Sequence, residues 1–206
     1  MFDYTKKIKD FILPKIVEIN NPTILEFGVQ NGRSTKMFLE VCNKNNGKLY
    51  SVDIEDCSKV SKDKNWTFIK CRDDDFDILE NKIPKMFDII FIDSLHEAKH
   101  VKKIIFYYFK KLKLGGRIFI DDISWVPYHK NSKLNNFYCE INNRETFDML
   151  IELYNSNLEN LNMYFSFDAS GLCEIIKIKD NLKEPVKIQS REFSIKNLVR
   201  KYVLRR

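Results

Sequence analysis

The sequence lacks a long hydrophobic run and a closely spaced cysteine pair. Its longest apolar stretch, residues 104–109, is too short to span a bilayer, and the first 20 residues interleave charged with apolar side chains. We therefore expect neither a signal peptide nor a membrane anchor. The five cysteines form no C-x-x-C pair, which argues against a zinc or redox motif and predicts reduced thiols in a cytoplasmic protein.

Most of the chain also lacks net charge. The 206 residues include 35 basic and 29 acidic side chains, a balance of +6. All of this excess lies in residues 181–206, where eight basic residues face two acidic ones, so residues 1–180 carry 27 charges of each sign. A neutral body argues against nucleic acid as a partner, because binding by bulk charge needs a basic surface.

Short apolar segments alternate with helical patterns along the chain, which predicts an α/β fold. The predicted strands are 24–27, 48–54, 66–70, 87–93, 117–123, 161–167 and 171–178. The predicted helices are 34–43, 75–81, 96–113 and 144–154, the third ending before Gly115 and Gly116. Only three residues separate the last two strands, so these must form an antiparallel hairpin. We expect a Rossmann-like, doubly wound sheet of seven strands, mostly parallel with the last strand antiparallel.

Residues 123–143 show no clean period and are rich in aromatic side chains, which predicts a long functional loop. We expect Trp125, Tyr128, His129 and Tyr138 to form a substrate wall. The alternative for each of these residues is simple packing against the edge of the sheet.

A strand-to-helix turn with the pattern E-x-G-x-x-x-G-x-S gives the sharpest local signal. Glu26 ends the first strand, Gly28 and Gly32 lie in the turn, and Ser34 opens the next helix. Such a turn lets the backbone approach a ligand, and the helix N-terminus favours negative charge. Gln30 stands where a dinucleotide-binding protein has its middle glycine. The alternative is that both glycines serve only a tight turn.

Three further acids follow the second and third strands. Asp53 ends the second strand about 20 residues after the glycines, where a carboxylate can accept both hydroxyls of a ribose. Asp73 or Asp74, in the segment C-R-D-D-D, can accept from an adenine amine. The alternatives are a loop aspartate for Asp53 and a helix N-cap for the later pair.

Acids also follow the fourth and fifth strands. Asp93 ends one of these strands, and Asp121 and Asp122 end the other. Because neighbouring parallel strands end at one edge of the sheet, we expect the three carboxylates to converge. Three unpaired acids repel one another without a cation, and their oxygen ligands suit Mg²⁺. The pattern therefore predicts a metal site.

In these motifs residues 23–180 resemble the class I S-adenosylmethionine-dependent methyltransferases, in particular the metal-dependent O-methyltransferase branch that includes catechol, caffeoyl-CoA and macrolide-sugar enzymes. The resemblance implies that Glu26 faces the amino group of the cofactor's methionine, that Gly28 and Gly32 pass beneath the cofactor, and that Asp53 holds its ribose. It also implies a Mg²⁺ ion, or another divalent cation, on the three acids after the fourth and fifth strands.

The same resemblance assigns chemistry to His96, three residues beyond Asp93. The basic side chain at this position takes the proton of the acceptor hydroxyl, and an imidazole suits that role near neutral pH. The implied acceptor is a small molecule, with a sugar or other natural product favoured over a phenol. The alternative for His96 is a helix-start residue that only orients a ligand.

Two other readings of the chain are possible. The segment H-E-A-K-H, residues 96–100, matches the zinc-protease motif H-E-x-x-H, which would make the protein a zinc hydrolase. A non-enzyme alternative is a cofactor-binding module without turnover. The presence of all three metal-site acids together with His96 argues against that module.

The chain divides into an N-terminal helical segment at 1–22, the methyltransferase-like domain at 23–180 and a basic tail at 181–206. Within the tail, apolar residues recur at helical spacing after Ser194, a plausible N-cap, with basic residues between them. Such a helix binds an anionic membrane surface or docks on its own domain or a second subunit. A peripheral membrane contact and a homo-oligomer are therefore both expectations for this tail.

Overall fold

A computed structural model describes residues 4–124, 137–189 and 194–204, the side chains of 137–140 excepted. Seven strands form one sheet in the order β3-β2-β1-β4-β5-β7-β6. The strands are β1 Thr23–Phe27, β2 Lys48–Asp53, β3 Trp66–Lys70, β4 Phe87–Ile92, β5 Leu112–Asp121, β6 Leu161–Ser166 and β7 Leu172–Lys177. The predicted fold class is confirmed.

The first five strands pair in parallel, and only β7 runs against its neighbours. β7 pairs antiparallel with both β5 and β6, so the predicted hairpin is confirmed. The strand order reverses between β1 and β4, and the carboxyl ends of both strands meet there. Open α/β sheets bind their ligands at such a switch point.

Helices cover both faces of the sheet. They are α1 Tyr4–Lys7, α2 Leu13–Ile16, α3 Arg33–Lys44, α4 Phe76–Glu80, α5 Ala98–Phe109, α6 Phe137–Ser156 and α7 Ile195–Tyr202, with a π-helical stretch, Ile8–Ile12, between α1 and α2. β4 shows why two layers form: Ile89 and Phe91 pack with α3 and the N-terminal helices, whereas Ile90 and Ile92 pack with α5 and α6. Alternate residues of a strand point to opposite faces.

The N-terminal helical segment, residues 4–16, is an integral part of the fold. Ile8, Ile12 and Ile16 are fully buried and pack against Phe38 of α3. Burying each such side chain contributes about 1.5–3 kcal/mol, so these residues hold the segment firmly on the sheet. This packing fixes the positions of Tyr4 and Lys7, at the start of the segment.

The predicted end of the longest helix was wrong. α5 ends at Phe109, and β5 begins at Leu112 and runs through Gly115 and Gly116. The pairing register of β4 with β5 shifts between Phe87 and Ile89. Gly115, in the irregular part of β5, has a φ of +77°, a conformation that suits glycine. The glycines therefore serve a strand. The buried ammonium of Lys177 donates to the carbonyl oxygens of Phe109 and Leu112 and so closes the helix end.

The predicted aromatic loop was too long at its C-terminal end. α6 begins at Phe137. The sequence placed its start at Arg144 because the first turns lack the apolar period that marks Met149, Leu150 and Leu153. Trp125, Tyr128 and His129 lie outside the described residues, as does the side chain of Tyr138. The predicted substrate wall stays a prediction.

The tail forms the predicted helix. Ser194 is the N-cap of α7, and its hydroxyl accepts a hydrogen bond from the backbone amide of Asn197. None of the residues of α7 is buried, and Ile195 and Tyr202 are 82% and 68% exposed. Among the helices that the structure describes, none has the length and apolar character needed to cross a membrane.

Candidate active site

One cavity of about 640 Å³ lies at the switch point of the sheet. Its volume is within the usual range for a small-molecule site. Four of the residues that the sequence assigns to cofactor binding, Gly28, Ser34, Asp53 and Asp73, share its wall with the residues assigned to chemistry. The lining includes Tyr4, Gly28, Ser34, Asp53, Asp73, Asp93, His96, His100, Asp121 and Asp122.

The turn after β1 needs glycine at its first position because another strand approaches closely. Gly28 has a φ of +91°, and a Cβ placed there would lie 1.9 Å from the carbonyl oxygen of Asp93. This close approach brings the turn and the end of β4 together on the cavity wall. Gly32 is the N-cap of α3 and packs against Val60, so it makes the turn without lining the cavity.

Glu26 lies behind this wall. Its carboxylate is fully buried and accepts hydrogen bonds from the hydroxyls of Ser34, Thr35 and Ser51 at 2.5, 2.8 and 2.6 Å. Burial raises the pKa of Glu26 from 4.5 to about 7 even though the three hydroxyls lower it. Glu26 thus ties β1 to α3 and β2, and it is not among the residues that line the cavity. Contact of Glu26 with a bound cofactor stays a prediction.

Asp53 lines the cavity and also orders the glycine turn. Its Oδ2 accepts the backbone amides of Val29 and Gln30 at 2.7 and 3.1 Å, and its Oδ1 accepts that of Glu55 at 2.9 Å. Partial burial opposes ionisation, but these amides outweigh it and lower the pKa of Asp53. The carboxylate is therefore charged at neutral pH and held at the cavity edge.

The two acids after β3 have different positions. Asp73 is 8% exposed and lines the cavity, where it accepts from the hydroxyl of Ser94 and lies 2.9 Å from Nε2 of His100. Asp74 lies outside this cavity, and hydrogen bonds from Arg72 and then Lys103 lower its pKa to about 2. Of the predicted pair, only Asp73 is placed to contact a ligand in the cavity.

Asp93, at the end of β4, lies between Tyr4 and the predicted base, His96. The hydroxyl of Tyr4 donates to its Oδ2 at 2.7 Å, and its Oδ1 lies 3.6 Å from Nε2 of His96. Burial and then the charge of Asp121 raise the pKa of Asp93 well above its usual range. Burial and the neighbouring Asp93 likewise raise the pKa of Tyr4, so its phenol stays protonated.

Asp121 forms a buried ion pair with Lys7 of α1. The same ammonium donates to the hydroxyl of Ser170 at 2.7 Å and to the carbonyl oxygen of Gly171 at 3.3 Å. Burial raises the pKa of Asp121, and the charge of Lys7 opposes that shift. The backbone amide of Asp122 donates to Asp121 Oδ1 at 2.8 Å.

Asp122 and His96 complete this end of the cavity. Asp122 has a φ of +57°, which turns the chain at the end of β5, and its Oδ2 lies 3.4 Å from Nε2 of His96. The imidazole of His96 therefore lies between the side chains of Asp93 and Asp122. The structure brings the three predicted carboxylates, Asp93, Asp121 and Asp122, to one end of the cavity, and His96 lies beside them.

These residues do not fit the predicted metal site. Among the residues that the structure describes, no group of three or more His, Cys, Asp and Glu side chains is arranged to hold a metal ion. The reason lies in the partners: Asp121 is paired with Lys7, and Asp93 accepts the hydroxyl of Tyr4. We therefore assign no step to a metal.

The H-E-x-x-H pattern does not form a helical zinc motif either. α5 begins at Ala98, so His96 precedes the helix, and only His100 lies on it. Their rings contact different acids: His96 lies near Asp93 and Asp122, and His100 near Asp73. The two histidines are thus not presented together on one helical face.

Sequence reasoning missed Tyr4 and Lys7. Their segment reads as an ordinary amphipathic helix, and no motif links it to the acids near residues 93 and 121. The one available signal was charge: three predicted acids at one sheet edge require a compensating cation. Lys7 stands directly before the buried period of Ile8, Ile12 and Ile16, and it became a candidate only once the packing of that segment was known.

Residues 25–123 match the family model described as "Methyltransferase domain". The matched region spans the glycine turn, Asp53, Asp93, His96 and both acids of β5. Over these residues the chain resembles a methyltransferase domain, and its fold is that of the class I, S-adenosylmethionine-dependent methyltransferases. No curated protein matches the chain significantly.

Solved structures similar to this methyltransferase domain include enzymes with different acceptors. MycE, from the mycinamycin biosynthetic pathway and in complex with Mg, SAH and mycinamycin VI, is 19% identical with a TM-score of 0.58; the match covers 86% of this chain and 49% of MycE. A candidate caffeoyl-CoA O-methyltransferase from Staphylococcus aureus is 19% identical with a TM-score of 0.58, over 84% and 80% of the two chains.

A candidate rRNA methylase from Clostridium thermocellum has the same fold, with 14% identity and a TM-score of 0.53 over 86% of this chain and 94% of that one. At these identities the likeness concerns the fold. The chain spans about half the length of MycE. The acceptor must therefore be argued from the site itself.

Proposed function

We propose that this methyltransferase domain transfers a methyl group from S-adenosylmethionine to a hydroxyl oxygen of a small acceptor, with a sugar or other natural product favoured over a phenol. The observation that carries the proposal is the shared cavity. Gly28, Asp53 and Asp73 line it together with Asp93, His96 and Asp122. A single cavity that carries both sets of residues suits a cofactor and an acceptor bound side by side.

The cofactor supplies an electrophilic methyl group on a sulfonium when bound. The residues that would hold it are Gly28, by close backbone approach, and Asp53 and Asp73, whose carboxylates line the cavity. Asp53 suits the ribose hydroxyls because it is ionised and already fixed by two loop amides. Asp73 suits an amine, because a carboxylate has two acceptor oxygens and both Ser94 and His100 contact the same one, Oδ2.

His96 would accept the proton of the acceptor hydroxyl at a ring nitrogen. Asp93 and Asp122, whose oxygens lie 3.6 and 3.4 Å from Nε2, are placed to accept a hydrogen bond from the ring after that transfer. A hydroxyl is a poor nucleophile until its proton has an acceptor, so removing this base slows the reaction. The proposal assigns the remaining rate to positioning in the cavity.

The fold alone does not select the acceptor, because a candidate rRNA methylase shares it. The balance of charges in residues 1–180 supports a small molecule over a nucleic acid. MycE, whose complex contains mycinamycin VI, supports a natural product as the acceptor. Mg²⁺ dependence is not part of the proposal, because Asp121 is paired with Lys7.

The proposal is tested with labelled cofactor and a panel of sugar nucleotides, glycosides, catechols and a ribosomal RNA fragment. We expect label in a hydroxyl-bearing small molecule and none in the RNA. Label in RNA alone contradicts the proposal. Cofactor binding in calorimetry without transfer to any acceptor instead supports a binding module without turnover.

The role of His96 is tested by His96→Gln. We expect kcat to fall by about 100-fold, a usual contribution of a general base, with little change in cofactor affinity. Lys99→Gln is the matched control, because Lys99 is exposed and lies three residues further along the same segment. Equal kcat values for the two variants contradict the assignment of His96.

A further inference from the structure

The ammonium of Lys7 is completely enclosed. Its side chain is 1% exposed, and it donates to Asp121, to the Ser170 hydroxyl and to the Gly171 carbonyl oxygen. An ammonium has three protons, so all three have an acceptor. A buried charge is costly unless it is paired and hydrogen-bonded in this way.

The other lysines of the same segment behave differently. Lys6, Lys9 and Lys15 are exposed, which is the usual state of a lysine on a helix. Lys7 alone among these four turns inward, towards the carboxyl end of β5. Its burial therefore reflects a particular partner and not the general composition of the segment.

The fold holds this segment over the acid cluster of Asp93, Asp121 and Asp122. Tyr4, one turn before Lys7, donates to Asp93, so two residues of α1 contact two acids of the cluster. The π-helical stretch Ile8–Ile12 follows Lys7 directly, and π-helical turns occur frequently at functional sites. Ile8 and Ile12 within that stretch are fully buried and anchor it.

We propose that Lys7 takes the place of the divalent cation at this acid cluster, so that methyl transfer by this chain needs no metal and the N-terminal segment is part of its active site. The inference rests on the proposed function for its catalytic part. Lys7 does not line the cavity. It is a positioning residue that acts through Asp121, by balancing the charge of that carboxylate and fixing the end of β5 next to Asp122 and His96.

A substitution that removes the ammonium of Lys7 and keeps a side chain of similar size should allow the three carboxylates to bind a divalent cation. In Lys7→Met three carboxylates remain close together with no internal cation, and their oxygens are the ligands that a hard divalent cation prefers. The variant is therefore expected to gain a site for Mn²⁺ or Mg²⁺ that the natural chain lacks. A merely structural role of Lys7 predicts no such gain.

The decisive experiment titrates Mn²⁺ into the full chain by calorimetry. We expect no binding below about 1 mM for the natural chain and for Lys6→Met, an exposed neighbour that serves as control, and binding at least about tenfold tighter for Lys7→Met. The double variant Lys7→Met with Asp121→Asn should lose that gain. Tight Mn²⁺ binding by the natural chain, or equal titrations for Lys6→Met and Lys7→Met, overturns the inference.

Turnover gives the second readout. We expect the natural chain to keep its kcat in EDTA, and Lys7→Met to lose about tenfold or more in kcat and to recover part of it with Mg²⁺. Loss of turnover by the natural chain in EDTA, restored by Mg²⁺, overturns the inference. If Lys7→Met fails to fold, the natural chain's titration and its kcat in EDTA still decide.

Failure of the proposed function looks different. A chain that binds no S-adenosylmethionine, or labels no hydroxyl, contradicts the proposed methyl transfer. The Mn²⁺ titrations need neither cofactor nor acceptor, so they report on Lys7 and the acid cluster in either case.

Discussion

The hydroxyl of Tyr4 donates a 2.7 Å hydrogen bond to Asp93, 89 residues further along the chain. This contact joins the N-terminal helical segment to the end of β4, on the wall of the cavity. Together with the ion pair of Lys7 and Asp121, it links residues near the N-terminus to the acids of the site. Substitutions at both positions are therefore expected to affect turnover.

Tyr4→Phe removes only the hydroxyl. We expect the free energy of unfolding to fall by about 1 kcal/mol, because Asp93 loses a buried donor, and kcat to fall by about fivefold. Denaturant unfolding and cofactor-saturated kinetics measure the two effects. Tyr164→Phe is the control, since Tyr164 is 55% exposed. Identical kcat values for both variants contradict a role of Tyr4 at the site.

The buried carboxyl of Glu26 should make stability depend on pH. Its pKa rises from 4.5 to about 7 on folding, so the folded state binds the proton more tightly than the unfolded chain. The stabilisation from the protonated form is complete below pH 4.5 and is lost as the pH rises to about 7. The shift corresponds to about 3 kcal/mol.

Glu26→Gln tests that pH dependence. The amide cannot ionise, and the hydroxyls of Ser34, Thr35 and Ser51 can turn to accept from it as well as donate. We expect the difference in unfolding free energy between the variant and the natural chain to shift in favour of the variant from pH 5 to pH 7.5. Parallel curves over this range would show that Glu26 titrates normally.

Asp53→Ala should weaken cofactor binding. The substitution removes a carboxylate from the cavity wall and frees the amides of Val29 and Gln30. We expect the Kd for S-adenosylmethionine to rise about tenfold or more, or about 1.4 kcal/mol, in calorimetry. Asp56→Ala is the matched control, because Asp56 is an exposed acid of the same loop. An unchanged Kd for Asp53→Ala would exclude its contact with the cofactor.

Substitutions of the two acids after β3 should have different effects on the Kd for S-adenosylmethionine. Asp73→Asn is expected to raise the Kd for S-adenosylmethionine by about tenfold, since Asp73 lines the cavity. Asp74→Asn should leave the Kd within about twofold, because Asp74 pairs with Arg72 and Lys103 outside this cavity. The reverse order of effects would place the cofactor elsewhere.

The exposed helix α7 should bind anionic membranes. Its apolar residues Ile195, Val199 and Tyr202 are exposed, and Lys196, Arg200 and Lys201 lie among them. We expect cosedimentation with phosphatidylcholine vesicles that contain about a third phosphatidylserine, and none with phosphatidylcholine alone. Ile195→Ser with Val199→Ser should abolish it, whereas Val186→Ser, outside the helix, should not. Lipid binding equal in both variants contradicts the proposal, and a loss of oligomer mass instead points to a second subunit.

Local signals predicted the sheet well because strands and helices each impose a characteristic spacing of apolar residues on the sequence. The β6–β7 hairpin followed from the length of its connection, and the N-cap of α7 from Ser194. The prediction of the α5–β5 boundary was wrong because a glycine pair such as Gly115 and Gly116 can either end a helix or form an irregularity in a strand. Pairing of Phe87 with Leu112 decided for the strand.

The sequence by itself determined the fold class, the order of the acids along the sheet edge and the charge of the tail, because these depend on local period and spacing. Tertiary structure decided which acids face the cavity and which are already paired. Glu26 accepts a hydrogen bond from Ser34, and Asp74 forms an ion pair with Arg72. Asp121 forms an ion pair with Lys7. Ion pairs between residues 114 positions apart depend on how the helices pack. No local pattern encodes that packing. The three acids that predicted a metal site therefore form a cluster in which Asp121 is paired with the ammonium of Lys7.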